Sequence, residues 1–227
     1  MATLTNPNPS FVNAQIRYLN SEWKDAGEVP AIGDRDSRRA NTSKVEVLIE
    51  DARPRHEAGV LDLDTNGFVL ARNQSAVTSF QDDAEIESVY YPEIEALMRE
   101  LTGADHLFIS QHVVRTEDKS DFNKAYARFL HSDYSIENPR AAAAQYLANR
   151  QAPLDSAKLR VDEWEFAWFN TWQPFDRAVE QNPLTILDAE SLARSDLIDY
   201  RYTGFRDDGG TSSMPIRNPN HRFYYFP

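Results

Sequence analysis

Cysteine is absent from this chain of 227 residues. That single absence removes thiol catalysis, iron–sulfur clusters, thiolate zinc sites and disulfides. Basic charge is scarce as well: 24 Lys and Arg stand against 36 Asp and Glu, giving a net charge of −12. Neutralising nucleic-acid phosphates needs clustered cations, so a general nucleic-acid binder is excluded and adsorption to anionic membranes is disfavoured. Acidity of this kind reads first as solubility. No apolar run approaches the length of a membrane span, and the opening MATLTNPNPSFVN has neither a basic nor an apolar signal region. A cytoplasmic protein that meets neither membrane nor nucleic acid is expected. The sequons at Asn41 and Asn73 carry no weight without a secretory signal. Phosphate-binding glycine loops, dinucleotide fingerprints, the Gly-x-Ser-x-Gly elbow and the His-Glu-x-x-His zinc motif are missing too. The acidic pairs Asp82-Asp83 and Asp207-Asp208 lack the spacing of a calcium loop and suit turns.

What is present suits one folded domain: 41% hydrophobic and 11% aromatic residues can bury a sizeable core. Residues 1–43, polar and rich in Asn, Asp and Arg, are expected to form an N-terminal arm, with one domain over 44–227. Strands are expected at 45–49, 67–70, 106–115, 183–187 and 222–226, from apolar, β-branched and aromatic runs bounded by turn residues. Residues 161–172 alternate strongly, placing Trp164, Phe166, Trp168, Asn170 and Trp172 on one face of a long strand. A helix starts at Pro92, where Ile94, Leu97, Met98 and Leu101 form a stripe, and Gly103 closes it. Two more helices are expected, from Asn138–Pro139 through the alanine run and from Asp188 onward, and Asp207 to Ser213 reads as a mobile loop. The fold class is mainly β with flanking helices, α+β.

One short segment carries candidate chemistry. In Leu130-His131-Ser132-Asp133-Tyr134, residues i and i+2 of an extended strand point to the same side. His131 and Asp133 can therefore offer an imidazole nitrogen and a carboxylate oxygen to one ion. With a distant second His they would make the facial triad of non-haem iron(II) oxygenases, which leaves coordination positions open for cosubstrate and dioxygen. Taken alone, His-x-Asp is a common triplet, and a surface His beside a solvated Asp is the simpler reading.

Its surroundings add to it. Leu61-Asp62-Leu63-Asp64-Thr65-Asn66-Gly67-Phe68, Tyr90-Tyr91-Pro92-Glu93, Thr102-Gly103-Ala104 and His112-Val113-Val114-Arg115 precede the triplet. Asn170-Thr171-Trp172-Gln173-Pro174, Pro183-Leu184 with Asp188-Ala189, and His221-Arg222-Phe223-Tyr224-Tyr225-Phe226-Pro227 follow it. In this order the blocks resemble the non-haem Fe(II)/2-oxoglutarate oxygenases that include cephalosporin methoxylation enzymes, the gibberellin desaturase and related fungal hydroxylases. The resemblance covers roughly residues 45–227. It implies a double-stranded β-helix (jelly-roll) core, Fe(II), 2-oxoglutarate and O2, and hydroxylation, desaturation or rearrangement of a small natural product.

Two departures qualify that resemblance. The family usually has Arg where this chain has Gln173, and it usually continues past the Tyr-Tyr-Phe-Pro block with a distal His and an Arg-x-Ser element. Neither of those two functions can be carried over to a residue here. His221 is the candidate third ligand, against the simpler reading of a strand-end histidine. Arg115 and Arg140 are candidates for the 2-oxoglutarate carboxylate, with Arg217 and Arg222 also available. His112, Tyr134, Trp168, Asn170, Trp172 and Tyr225 are candidates for the substrate pocket, although an aromatic stripe of period two is more often plain core. A jelly roll without its last strands would expose unpaired edges. The alternative to an active oxygenase is therefore a degenerate or partner-completed scaffold, with a homo- or hetero-dimer as its expected form.

Overall fold

The computed structural model describes residues 10–115, 129–135, 139–149, 163–179, 183–203 and 210–227. They fall into two compact units: Met1–Phe68 with Arg128–Asn170 and Pro183–Pro227, and Val69–Ala127 with Thr171–Asn182. The boundary expected at residue 43 falls inside a strand, and before it residues 11–19 and 31–32 are strands of the two sheets.

The first unit is built on two sheets. Its strands are β1 (Phe11–Leu19), β2 (Ala31–Ile32), β3 (Thr42–Asp51), β4 (Ile186–Leu187), β5 (Leu197–Tyr202), β6 (Thr211–Pro215) and β7 (Phe223–Tyr225). One sheet runs β1-β3-β7-β4 and the other β2-β5-β6. β1 pairs antiparallel with β3 over its whole length, from Phe11 opposite Glu50 to Leu19 opposite Thr42. Polar residues at alternate positions disguise β1 in the sequence, but the period of two places Ala14, Ile16 and Tyr18 on one face. There they pack with Val45, Val47, Ile49 and Phe223. A second cluster joins Leu19, Ile32, Tyr200, Met214 and Ile216, and a third joins Ala52, Leu61, Phe68 and Tyr224.

Short helices join these strands: α1 (Arg35–Asn41), α2 (Arg53–Glu57) and α3 (Leu63–Asn66). α3 ends on Gly67, whose φ of 77° is left-handed and where a Cβ would meet that of Ala189 at 3.0 Å. The Asp62–Gly67 block, Asp188 and Arg222 come together here. Asp188, fully buried, accepts from Asn66 Nδ2 at 3.0 Å and from Arg222 Nε at 2.9 Å. A buried carboxylate must be paired, so these blocks of the resemblance hold the fold rather than perform chemistry.

The second unit contains α4 (Asp83–Glu85), a π-helical turn (Ile86–Tyr90) and α5 (Tyr91–Thr102) in unbroken succession. Asp82 caps the start by accepting from the amides of Ala84 and Glu85. The expected helix is present with Ile94 buried, and Gly103 closes it at φ 67° with its amide on Arg99 O. α6 (Pro139–Asn149), in the first unit, matches the helix expected from the alanine run, although its proposed cap, Asn138, lies outside the described residues.

Other expectations are corrected. The third helix is instead two single turns, Ala189–Ser191 and Arg194–Asp196, followed by β5; Asp188 still caps the first of them. Leu197 and Ile198, expected on that helix with Leu192, are strand residues paired with Pro215 and Met214. Residues 211–213 of the expected loop open β6, where Ser212 and Ser213 are buried, and 207–209 lie outside the described residues. Residues 67–70, 106–115 and 163–172 form no ladder among the described residues, although Trp164, Phe166 and Trp168 are half-buried while their neighbours are exposed. The alternation was legible; the pairing was not. No helix among the described residues is long and apolar enough to cross a membrane.

Candidate functional site

The His131 segment is fastened to both sheets of its unit. Leu130 donates its amide to Arg17 O of β1 at 3.1 Å, and Ser132 exchanges backbone hydrogen bonds with Ser213 of β6 at 2.7 and 3.2 Å. With Ser132 bound to β6, His131 and Asp133 fall on the same side, as the i, i+2 spacing requires. The clamp is reinforced around Asp199 of β5, which accepts from Ser213 Oγ at 2.6 Å and from Ser135 Oγ. Ser212 Oγ donates to Asp133 O at 3.1 Å. Sequence reasoning missed Asp199, Ser135, Ser212 and Ser213, because these are common polar residues whose role depends on a partner far along the chain.

The two candidate ligands meet. His131 Nε2 lies 3.2 Å from Asp133 Oδ1, and His131 Nδ1 lies 2.8 Å from Phe129 O. Both neighbours are pure acceptors if the carboxyl is ionised, whereas a neutral imidazole has one N–H. If Nδ1–H serves the carbonyl, a lone pair on Nε2 faces a carboxylate oxygen. A second proton on the ring, a metal ion or a cationic side chain beside the pair would each stabilise such a contact. The other carboxylate oxygen, Asp133 Oδ2, accepts from Asn170 Nδ2 at 2.7 Å. His131 is 26% and Asp133 47% exposed at the side chain, so both can be reached from solvent.

An aromatic wall adjoins the pair. Tyr134 stacks on Trp168 with ring centroids 4.2 Å apart, and Tyr146 of α6 meets Trp168 edge-on at 6.0 Å. Trp168 Nε1 is buried and has no hydrogen-bond partner among the described residues. Arg140 donates to Trp164 O at 3.0 Å, so this candidate cation lies beside the aromatic segment.

His221 does not join them. Its Nε2 lies 3.2 Å from Asp196 Oδ2 and its Nδ1 lies 3.0 Å from Tyr18 Oη. The neutral ring must then donate from Nε2 to the carboxylate and accept the Tyr18 hydroxyl at Nδ1, which leaves no lone pair for an ion. Its side chain is 1% exposed and stacks on Tyr18. Burial lowers its pKa against the opposing effect of Asp196. Burial also raises the Tyr18 hydroxyl to about 12. For Asp196, burial works upward but is outweighed by hydrogen bonds from Asn218, Ala193 and His221, so its pKa is lowered. The expectation of a third ligand at His221 is therefore corrected: the residue is part of the core. Among the described residues no group of three His, Asp or Glu is placed to hold an ion.

Tyr225 and Arg222, in the first unit, have other partners. Tyr225 packs on the cluster of Tyr18, Ile49 and Phe223. Arg222 is committed to Asp188 and Glu190, at 2.7 and 2.6 Å. Three candidates belong to the second unit: Arg115, Trp172, which is exposed, and His112, whose nitrogens lie 2.9 Å from Tyr91 Oη and 3.2 Å from Asp83 Oδ1.

A family model described as an oxidoreductase/YMDC permease-like domain matches residues 16–227. The chain belongs to this family. Among its relatives is "Oxidoreductase AN1597" of Emericella nidulans, 30% identical over 84% of this chain and 65% of that protein. "Alpha-ketoglutarate-dependent dioxygenase phiK" of Fungal sp. is 26% identical over 88% of this chain and 72% of its own. "Fe(II)/2-oxoglutarate-dependent dioxygenase nvfI" of Aspergillus novofumigatus is 29% identical over 69% of this chain. The chain spans 55% of that last relative, so two of the three are covered over less than two thirds of their length. Among solved structures, the iron and alpha-ketoglutarate-dependent endoperoxidase NvfI shares the fold, with a TM-score of 0.64, 19% identity, and coverage of 96% of this chain and 79% of its own. A second structure of that endoperoxidase, a tryptophan-to-phenylalanine variant, gives a TM-score of 0.68 at 18% identity over the same shares of the two chains. The fold expected from the resemblance, a jelly roll with flanking helices, is the fold this family member adopts.

Proposed function

We propose that this chain carries the catalytic core of an Fe(II)/2-oxoglutarate-dependent oxygenase acting on a small natural product, with His131 and Asp133 as two of the metal ligands. One observation supports this above the others: His131 Nε2 faces Asp133 Oδ1 at 3.2 Å while Nδ1 is committed to Phe129 O. A neutral imidazole and a carboxylate, oriented by outer hydrogen bonds, are the donor set that divalent iron takes in a 2-His-1-carboxylate site. The residues present therefore fit two thirds of that site. Iron(II) bound there with 2-oxoglutarate and O2 supplies the oxidation of an unactivated C–H bond, coupled to decarboxylation of 2-oxoglutarate to succinate.

The protein's own contribution is orientation. Phe129 O holds the Nδ1 proton, so Nε2 keeps its lone pair for the ion. Asn170 ties down Oδ2, leaving Oδ1 as the coordinating oxygen. Ser132, Ser212 and the Asp199 clamp fix the backbone on which both ligands stand. The Tyr134–Trp168 stack gives an apolar substrate a flat surface beside the ligands. Arg140, in the first turn of α6, remains the candidate cation for the 2-oxoglutarate carboxylate in this unit.

A binding scaffold of the same fold is the second reading, favoured by the absence of a third ligand among the described residues. Anaerobic titration with Fe(II) and 2-oxoglutarate separates the two. The oxygenase reading expects a visible metal-to-cosubstrate absorption band and, on admitting air with substrate, succinate. A chain that develops no band and binds no iron is the scaffold.

A further inference from the structure

The second unit holds a cavity of about 360 Å3 that the iron reading does not use. Ser75, Thr78, Phe80, Gln173, Pro174 and Phe175 are among its walls. Phe80 and Phe175 stack with centroids 4.3 Å apart, and the edge of Tyr90 meets Phe80 at 5.4 Å, so two aromatic rings stand in a wall that is otherwise mainly polar. The loop that frames it is pinned. Glu85 accepts from the Thr78 amide at 2.7 Å, the Thr78 hydroxyl at 2.8 Å and the Ser79 amide at 2.9 Å. These bonds, those from Thr78 foremost, lower the pKa of Glu85, so it stays charged.

Gln173 supplies the directional group. Its Oε1 accepts from both Asn73 Nδ2 at 2.9 Å and Tyr90 Oη at 3.0 Å. In this amide orientation both neighbours donate to the one oxygen. Nε2 is therefore a donor, and among the described residues no protein acceptor meets it. Among the described lining residues the one charged side chain is acidic. Asp176 lines the cavity, and Glu93 acts on Tyr90 with a buried Oε2 that lacks a hydrogen-bond partner. No Lys or Arg is among the described lining residues.

We infer that this cavity binds a neutral molecule with one flat aromatic face, through a carbonyl or hydroxyl oxygen that accepts from Gln173 Nε2, and that it disfavours carboxylates. A carboxylate placed there would be partly dehydrated beside Asp176, with no cation among the described lining residues to pair with. The inference needs neither His131 nor a metal, so it stands or falls apart from the iron reading.

The test uses the full chain, metal-free, titrated calorimetrically with 2-acetonaphthone and with 2-naphthoate, which share a ring system and differ in a ketone against a carboxylate. The ketone is expected to bind once per chain and at least about tenfold more tightly than the acid. Gln173→Glu keeps the accepting oxygen and replaces the donor, and should weaken the ketone by about tenfold or more. Gln173→Arg should reverse the order of the two ligands. Phe80→Ala should weaken the ketone while circular dichroism shows the fold intact. If Gln173→Glu unfolds, Gln173→Met removes the donor without adding charge and carries the same expectation. The inference is overturned if the ketone does not bind, if the acid binds equally well, or if folded variants at Gln173 and Phe80 bind the ketone as the parent does.

Discussion

Two His–Asp pairs in the first unit have the same separation and opposite chemistry. His131 Nε2 lies 3.2 Å from Asp133, and His221 Nε2 lies 3.2 Å from Asp196. The difference is at the far nitrogen. His221 Nδ1 meets the Tyr18 hydroxyl, which can donate, so one proton on Nε2 satisfies both contacts. His131 Nδ1 meets a backbone carbonyl, which can only accept, so one proton cannot serve both sides. The His221 pair is closed and buried; the His131 pair is partly exposed, and acceptors face both of its ring nitrogens. Distance alone would have ranked them equal.

The comparison breaks most decisively at the ligands. His131→Ala and Asp133→Ala should each lower iron affinity by more than about 100-fold, since losing a ligand costs more than losing a group that merely orients one. Each should change folding stability by no more than about 0.5 kcal/mol, because both side chains are partly exposed. Anaerobic equilibrium dialysis and urea denaturation read the two quantities. His221→Ala should do the reverse, costing about 2–3 kcal/mol through a lost buried ring and the loss of one donor to Asp196 and of the Tyr18 partner, while leaving iron affinity within about twofold.

A smaller effect is expected at Asn170. Asn170→Ala frees Asp133 Oδ2 and should weaken metal binding by about 10-fold, with little change in urea midpoint. Equal affinity in this variant would show that the carboxylate needs no outer partner. The smallest effect is in pH. His221 has a folded pKa below its ordinary 6.5 because burial disfavours the charged ring. The unfolded chain therefore takes up the proton first, and stability should decline as pH falls from 6.5 toward the lowered folded value. Asp196, also lowered, adds a further decline below its ordinary 3.8. Urea midpoints from about pH 8 to about pH 5 should fall in the parent and fall less in His221→Gln.

How much of this could be read in advance follows sequence distance. The His131–Asp133 geometry was legible because two residues of an extended segment determine it. So was α5, whose stripe, proline and closing glycine are all local. The fate of His221 was not, because its hydroxyl partner stands 203 residues away on a strand that the polar sequence of 10–19 conceals. β6 was hidden for a related reason. Thr211, Ser212 and Ser213 look like loop, yet ladder bonds to β5 and the bond from Ser213 Oγ to Asp199 satisfy them in the interior. The aromatic run at 164–168 showed its buried face but not its missing ladder, since alternation is local and pairing is not. Gln173 was recognised as a departure from the family. That its oxygen is doubly occupied, leaving its nitrogen as a donor, needed Asn73 and Tyr90 in place.

The contrast between the two histidines is tested most directly by a long-range proton–nitrogen correlation spectrum of the imidazoles, recorded during titration with zinc(II) as a diamagnetic stand-in for iron. His131 should bind zinc through Nε2 with its proton held on Nδ1, while His221 remains an Nε2–H tautomer throughout. An unmoved His131 Nε2, or a zinc-dependent shift at His221 in its place, would contradict the assignment.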